Sequence, residues 1–416
     1  MFQHIPAFAG DRIFSLNESF QKDPRPHKVN LSIGIYCDEE GRVPAQDAVH
    51  QAETQIAAAR RPKPYLPMEG AANFRHAMQA LLFGEGHEAL ASGRVAIIQT
   101  VGSSGGLKAG AEFIRRWFPS SGVWLSDPSW DNHHGLFESA GIAVGSYPYY
   151  DPVNGLRFDA MLAALRSLPP FSVVLLHACC HNPTGVDLSP AQWEELVPII
   201  QTHRLIPFLD LAYQGFGEGI EEDAFAVRLL AQAGIPFLVA NTLSKSMGLY
   251  GERCGALSVV CADPQQADCV LGQLKFTVRQ NYFSPPAHGG QIAAQVLGDP
   301  GLRASWACEV SAMRERIRGL RVQLHVALTR KLGGGDFDYL LRQRGMFSYT
   351  NLRAEQVQRL REEHAIYLVD SGRLCISGLN AANLDRVASA IAAVHRGAVN
   401  RTWQKETHRR GLMQSG

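Results

Sequence analysis

Phe237-Leu238-Val239-Ala240-Asn241-Thr242-Leu243-Ser244-Lys245-Ser246 decides the fold. Four unbroken apolar residues read as a strand covered on both faces, and the run turns polar where it ends. The same pattern recurs at 95–98, 122–125, 172–176, 206–209 and 256–260, with helical stretches between the runs. Continuous rather than alternating apolar runs, separated by helices, imply an α/β sheet with mostly parallel strands. Residues 301–332 read as one long helix carrying many Arg. The segments 337–352 and 374–377, with a helix from Ala381, read as a smaller α+β unit, and the domain boundary falls inside the long helix. The first forty residues, rich in Pro and charge ahead of Val29–Ile35, are expected to cross over and pack with that unit. Residues 397–416, with Arg401, Lys405, Arg409, Arg410 and little apolar content, read as a solvated tail.

The chain's 416 residues allow two or three domains at about 150 residues each. Forty Lys and Arg against 39 Asp and Glu leave a net charge of +1, and no run of five like charges occurs, which argues against a nucleic-acid groove or a polybasic membrane anchor. No apolar run approaches the roughly 18 residues of a membrane helix. Met1–Arg12 carries a His and an Asp where a secretory signal needs a basic start and a continuous apolar stretch, so the chain is read as cytoplasmic. Eight scattered cysteines without a CxxC pair are read as reduced thiols, and the Cys254, Cys261, Cys269 spacing lacks a zinc-like partner pair, so no metal is expected.

In open α/β sheets ligands collect at the carboxyl ends of the strands. Val101-Gly102-Ser103-Ser104-Gly105-Gly106 lies just past one such end. It reads either as a tight turn with a Ser cap or as a phosphate cradle at a helix start, and it matches neither GxGxxG nor GxxxxGK[ST]. His177-Ala178-Cys179-Cys180-His181-Asn182-Pro183-Thr184-Gly185 lies past another and is either a plain turn or a turn that exposes the Asn182 amide. Asp210, with Tyr213 three residues on, is either a partnered buried carboxylate or a surface helix cap. Lys245, with Arg253 beyond it, would alone pass for a solvated lysine. Together these strand ends supply an amine, a carboxylate, a phenol, an amide, hydroxyls, an Arg and a phosphate-sized loop, which are the groups a pyridoxal phosphate site requires.

Several stretches carry a family resemblance: Tyr65-Leu66-Pro67-Met68-Glu69-Gly70, Ser126-Asp127-Pro128-Ser129-Trp130-Asp131-Asn132-His133, His181–Gly185, Asp210-Leu211-Ala212-Tyr213-Gln214-Gly215-Phe216, Ser244-Lys245 with Arg253, Asn281–Pro286 and Ser371-Gly372-Arg373. Over residues 1–396 the chain resembles a class I, fold-type I aminotransferase of the aspartate/aromatic amino-acid subgroup, and Arg344-Gly345-Met346-Phe347-Ser348-Tyr349 is similar to bacterial aromatic enzymes. The resemblance implies a large cofactor domain over 45–311 with a mostly parallel seven-stranded sheet flanked by helices. It also implies an arm and part of the small domain over 1–44, the remaining α+β small domain over 312–396, and a tail over 397–416.

It further implies pyridoxal 5′-phosphate as cofactor and ping-pong transfer of amino groups from aromatic (Tyr, Phe, Trp) and dicarboxylic (Asp, Glu) amino acids to 2-oxoglutarate or another keto acid. A dedicated aspartate aminotransferase is the alternative. Lys245 is then the lysine that bonds the cofactor aldehyde and carries the proton, Asp210 the partner of the pyridine nitrogen, and Tyr213 with Asn182 the pair on the ring hydroxyl. Trp130 stacks on the ring, and His133 and His177 stand behind it. Ser103, Ser104, Thr242, Ser244 and Arg253 hold the phosphate, Arg373 pairs with the substrate α-carboxylate, and Gly34 lines that pocket. Tyr65 and Arg279 are lent to the neighbouring subunit's site, for the phosphate and a side-chain carboxylate respectively, which implies a homodimer.

Overall fold

Seven strands form the central sheet: β1 (Val95–Val101), β2 (Val123–Asp127), β3 (Val144–Pro148), β4 (Val173–His177), β5 (Ile206–Leu211), β6 (Phe237–Thr242) and β7 (Cys254–Val260). Their spatial order is β1-β7-β6-β5-β4-β2-β3. Strands β2 to β6 pair in parallel, while β7 runs antiparallel to both β1 and β6. The sheet is therefore mostly parallel, as the apolar runs imply, and every residue of β6 and β7 is buried.

Six of the strands coincide with the six apolar runs. The seventh, β3, lies at the sheet edge with only Tyr147 buried. Its Gly145, Ser146 and Pro148 suit an edge strand and hide it from a search for apolar runs. Gly145 has a steric task, since a Cβ there would stand 2.7 Å from the Trp124 ring on β2.

The computed structural model describes residues 1–7, 10–152, 155–334 and 337–396. The helices that matter here are α1 (Gly102–Trp117), α2 (Asn132–Glu138), α3 (Pro190–His203), α4 (Pro264–Asn281) and α5 (Pro300–Leu332). Helix α1 lays Leu107, Ala111 and Ile114 into a core shared with Phe208 of β5 and Leu238 of β6. Gly110 lets it approach closely, because a Cβ at that position would lie 2.5 Å from Phe208 Cζ.

The chain divides into two compact units, Pro44–Arg316 and Met1–Val43 with the described residues from Ile317 onward, so the division falls inside α5. In the second unit Val29–Asn30 pairs in parallel with Ile366–Tyr367, and Phe347–Tyr349 pairs antiparallel with Arg373–Cys375. Its core holds a buried cation, Arg321, which donates to the Gly345 and Phe347 carbonyls and the Ser348 hydroxyl. The last helix begins at residue 384 rather than at Ala381. Asn380 and Asn383 each accept the other's backbone N–H, and this reciprocal pair holds the chain in a turn first. The expected tail, 397–416, lies outside the described residues. Among the described residues the eight cysteines form no disulfide with one another, and no helix is long and apolar enough to cross a membrane.

Candidate active site

The carboxyl ends of β4, β5 and β6 lie side by side, with Asp210 in register between His177 and Ala240. Asp210 is 5 % exposed. Its Oδ2 stands 3.1 Å from His133 Nε2, and its Oδ1 is buried without a hydrogen-bond partner. His133, in the first turn of α2, is wholly buried and has Nδ1 2.9 Å from the Ser129 hydroxyl. With Asp210 ionised, Nε2–H donates to the carboxylate and Nδ1 accepts from Ser129, so one histidine is fixed from both sides. Burial alone would raise the Asp210 pKa, but the hydrogen bond from His133, with the Lys245 charge nearby, outweighs it and holds the carboxyl below its usual range.

Ring contacts continue the cluster. Trp130 meets His133 edge-on at 5.1 Å, and His133 meets His177 at 5.2 Å. Neither nitrogen of His177 has a hydrogen-bond partner, and burial pushes its pKa down to about 3, so this imidazole is neutral.

Lys245 lies three residues beyond β6. Its Nζ is 4.8 Å from the centre of the buried Tyr213 ring. Burial pushes its pKa down to about 8, against the pull of the Asp210 charge and with the push of Arg253. Asn182 is buried in the turn after β4. The turn is set by three residues to which the sequence assigns no role: His181, Tyr149 and Asp187. His181 bonds Ser126 Oγ at 2.9 Å and Thr184 Oγ1 at 2.8 Å and stacks on Tyr149 at 4.1 Å and 18°. Asp187 accepts the backbone N–H groups of Cys180 and His181, each at 2.7 Å. His181 belongs to a family-like stretch, but no spacing distinguishes it from an ordinary turn residue.

The glycine-rich segment is the start of α1. No side chain caps this helix, whose first residues are Gly102, Ser103 and Ser104. Gly102 takes φ +66°, and a Cβ on it would lie 2.5 Å from Arg253 Nη2, so only glycine lets the guanidinium reach the helix start. The Gly102 N–H donates to the Arg253 carbonyl at 2.9 Å, Arg253 Nη1 donates to Ser244 Oγ at 3.4 Å, and the Thr242 and Ser244 hydroxyls are 2.9 Å apart. A guanidinium, the positive end of a helix dipole and several hydroxyls make an anion site.

These residues fit pyridoxal phosphate. The orphaned Oδ1 of Asp210 can take the N–H of a protonated ring nitrogen, the α1 start can take a phosphate dianion, and Lys245 supplies an amine of lowered basicity.

Gly34 and Arg373 belong to the other unit. There Arg373, 5 % exposed, donates from Nη2 to the Ser32 carbonyl at 2.8 Å and lies over the Phe347 ring at 4.3 Å. A Cβ at Gly34 would meet Phe347 Cζ at 2.7 Å, so the glycine and the arginine share one aromatic neighbour, drawn from the Arg344–Tyr349 stretch. Tyr65 and Arg279 also share one: Tyr65 meets Phe283 edge-on at 5.2 Å, and the Arg279 guanidinium lies 4.2 Å from the same ring. Both are exposed, and among the described residues neither bonds or stacks with Lys245, Asp210 or Tyr213.

An amine and a buried carboxylate at neighbouring strand ends, beside an anion-binding helix start, define the site of a fold-type I transferase. Residues 26–391 match the family model for aminotransferase class I and II, and the chain belongs to that family. It is 55 % identical to the aromatic-amino-acid aminotransferase of Escherichia coli (strain K12) over 396 residues, 95 % of this chain and all of that one. It is 48 % identical to an aspartate aminotransferase of Pseudomonas aeruginosa, covering 95 % and 99 % of the two chains. An aromatic-amino-acid aminotransferase of Burkholderia pseudomallei, solved covalently bound to pyridoxal phosphate, superimposes with a TM-score of 0.93 at 50 % identity, covering 95 % of this chain and 99 % of that one.

Proposed function

We propose that this protein transfers amino groups between aromatic or dicarboxylic amino acids and keto acids, with pyridoxal phosphate as cofactor and in a ping-pong order. The observation that carries the reading is Asp210: a buried carboxylate with one oxygen bound to His133 and the other unpartnered, in the same strand-end cluster as the Lys245 amine. When bound, the cofactor supplies an electrophilic carbon and an electron-withdrawing ring that stabilises negative charge at an amino acid's Cα.

The chain's residues do the rest. Lys245 Nζ takes the proton from Cα and returns it later, a task suited to an amine whose pKa of about 8 lies close to working pH. Asp210 Oδ1 keeps a proton on the ring nitrogen, the hydrogen bond from His133 keeps Asp210 ionised, and His177 stands behind His133. The Tyr213 hydroxyl and the Asn182 amide bond the ring oxygen, and Trp130 covers the ring face. Ser103, Ser104, Thr242, Ser244 and Arg253 hold the phosphate. Arg373 takes the α-carboxylate as a two-pronged donor, a geometry a lysine cannot reproduce, beside Gly34. Tyr65 and Arg279 act in the site of a second copy of the chain, so the working form is a homodimer, placed in the cytoplasm.

The aspartate-specific alternative is favoured by the relative of that name at 48 % identity. A panel of aspartate, glutamate, phenylalanine, tyrosine, tryptophan and leucine against 2-oxoglutarate separates the two. Phenylalanine turnover thousands of times slower than aspartate turnover would leave only the aspartate enzyme.

A further inference from the structure

At the amino-terminal edge of the central sheet, the end opposite Lys245, lies a cavity of about 500 Å³. It opens where β5 and β6 begin and β7 ends. Its walls are apolar and aromatic, with Phe113 and Phe118 from the end of α1 and its exit, Phe171 before β4 and Phe237 at the start of β6. Both the volume and the lining fall within the range of small-molecule sites, which run from about 300 to 1,000 Å³.

One cation stands among those walls. Arg204 ends α3 in the left-handed region, at φ +53°, and Phe171 also takes positive φ, at +66°. The Phe171 N–H donates to the Arg204 carbonyl at 2.8 Å, and this pairing of two strained residues sets the Arg204 guanidinium 4.4 Å from the Phe171 ring. The glutamines lining the cavity are engaged: Gln201 donates to the Ala233 carbonyl, and Gln266 donates to Asp263, which caps α4. Among the described residues no carboxylate or carbonyl pairs with the Arg204 guanidinium. An aromatic cavity with a single cation held over a phenyl ring and without an ion-pair partner is complementary to a planar aromatic ring carrying one carboxylate.

We infer that this cavity is a second ligand site, distinct from the Lys245 site, which binds an aromatic monocarboxylate with its ring among Phe113, Phe118, Phe171 and Phe237 and its carboxylate on Arg204. The inference rests on the cavity alone and does not depend on the proposed reaction.

The test is calorimetric titration of the cofactor-loaded protein and of Arg204→Gln with 2-naphthoate, its neutral analogue 2-naphthamide, and octanoate. Arg204 is exposed and remote from Lys245, so Arg204→Gln keeps normal turnover. The expected result is that Arg204→Gln weakens 2-naphthoate at one site per chain about tenfold while leaving any binding at the Arg373 site unchanged, the effect of losing one charged contact worth about 1.4 kcal/mol. The amide should bind both proteins alike, and octanoate should bind less tightly than 2-naphthoate. The inference is overturned if no 2-naphthoate binding responds to Arg204→Gln, if the amide binds the unsubstituted protein as tightly as the acid, or if octanoate binds more tightly than the arene.

Discussion

His133 and Asp210 are joined through one oxygen only: Nε2 meets Oδ2 at 3.1 Å, while Oδ1 of the same buried carboxylate has no hydrogen-bond partner. The two oxygens thus have separate tasks, one holding the charge in place and the other left to recognise a donor. A symmetric pair of partners would have kept the charge equally well and left nothing to bind with.

Replacing His133 by Asn removes the main opposition to burial, so the Asp210 pKa rises. The acidic limb of the kcat/KM profile should move to higher pH, with at least a tenfold loss, about 1.4 kcal/mol of barrier, on the acid side. Stability shifts with it. In the unsubstituted protein the depressed carboxyl stabilises the fold above its unfolded pKa of roughly 4, and that gain is lost as pH falls through the folded value. The variant should lack this contribution when pH-dependent unfolding is compared. An unmoved acidic limb would show that His133 does not govern the carboxylate.

Lys245 has the opposite linkage. Unfolded, it keeps its proton up to the ordinary lysine value of 10.5, whereas folded it keeps it only to about 8. Between those values stability rises with pH, and below about 8 the cost of burying the charge is present in full. Lys245→Met in cofactor-free protein should therefore be more stable by roughly 3 kcal/mol at pH 7, shrinking to nothing above about pH 10.5. Chemical unfolding at pH 7 and pH 10.5 checks it, and a constant difference between the two would refute it.

Gly34→Ala should drive a methyl group into Phe347 and shift the surface on which Arg373 rests. We expect kcat/KM to fall at least tenfold for aromatic and dicarboxylic substrates alike, since all carry an α-carboxylate, about 1.4 kcal/mol or more in transition-state binding. Adding Phe347→Leu should restore part of the thermal stability by opening the space. A class-selective loss would mean that Arg373 does not read the shared carboxylate.

The shared-site proposal predicts complementation. Lys245→Ala and Arg279→Ala chains refolded together give mixed dimers with one doubly defective and one intact site, so turnover of a dicarboxylic substrate should return. Mixed dimers that stay inactive place Arg279 in its own chain's site. In Arg279→Ala alone, dicarboxylic substrates should lose several kcal/mol in kcat/KM while aromatic ones change little.

The sheet was legible wherever burial on both faces forces unbroken apolar residues, as in β6 and β7, and illegible at β3, where an edge strand needs no such run. Asp210 stands out because a carboxylate at the end of an apolar strand demands an explanation, whereas Lys245 gains meaning only in company with it and the other strand-end groups. The residues that hold them were harder to see. His181 and Asp187 act through backbone amides and ring stacking, and Phe347 and Phe283 through contact with an arginine distant in sequence or nearby; none of these leaves a periodic trace. The cavity by Arg204 was invisible for the same reason, since it depends on two left-handed residues that composition does not mark.

The antiparallel insertion of β7 has a consequence for synthesis on the ribosome. β1 is the first strand of the sheet to emerge, yet among the described residues the strand it pairs with is β7, the last, so the edge that faces β7 stays open until residue 260 has left the exit tunnel. Val29–Asn30 waits longer still, for Ile366–Tyr367 near the far end of the chain. Because distant pairings form slowly and bare apolar strands self-associate, nascent chains halted between β6 and β7 should be the species most prone to aggregate and to occupy a chaperone.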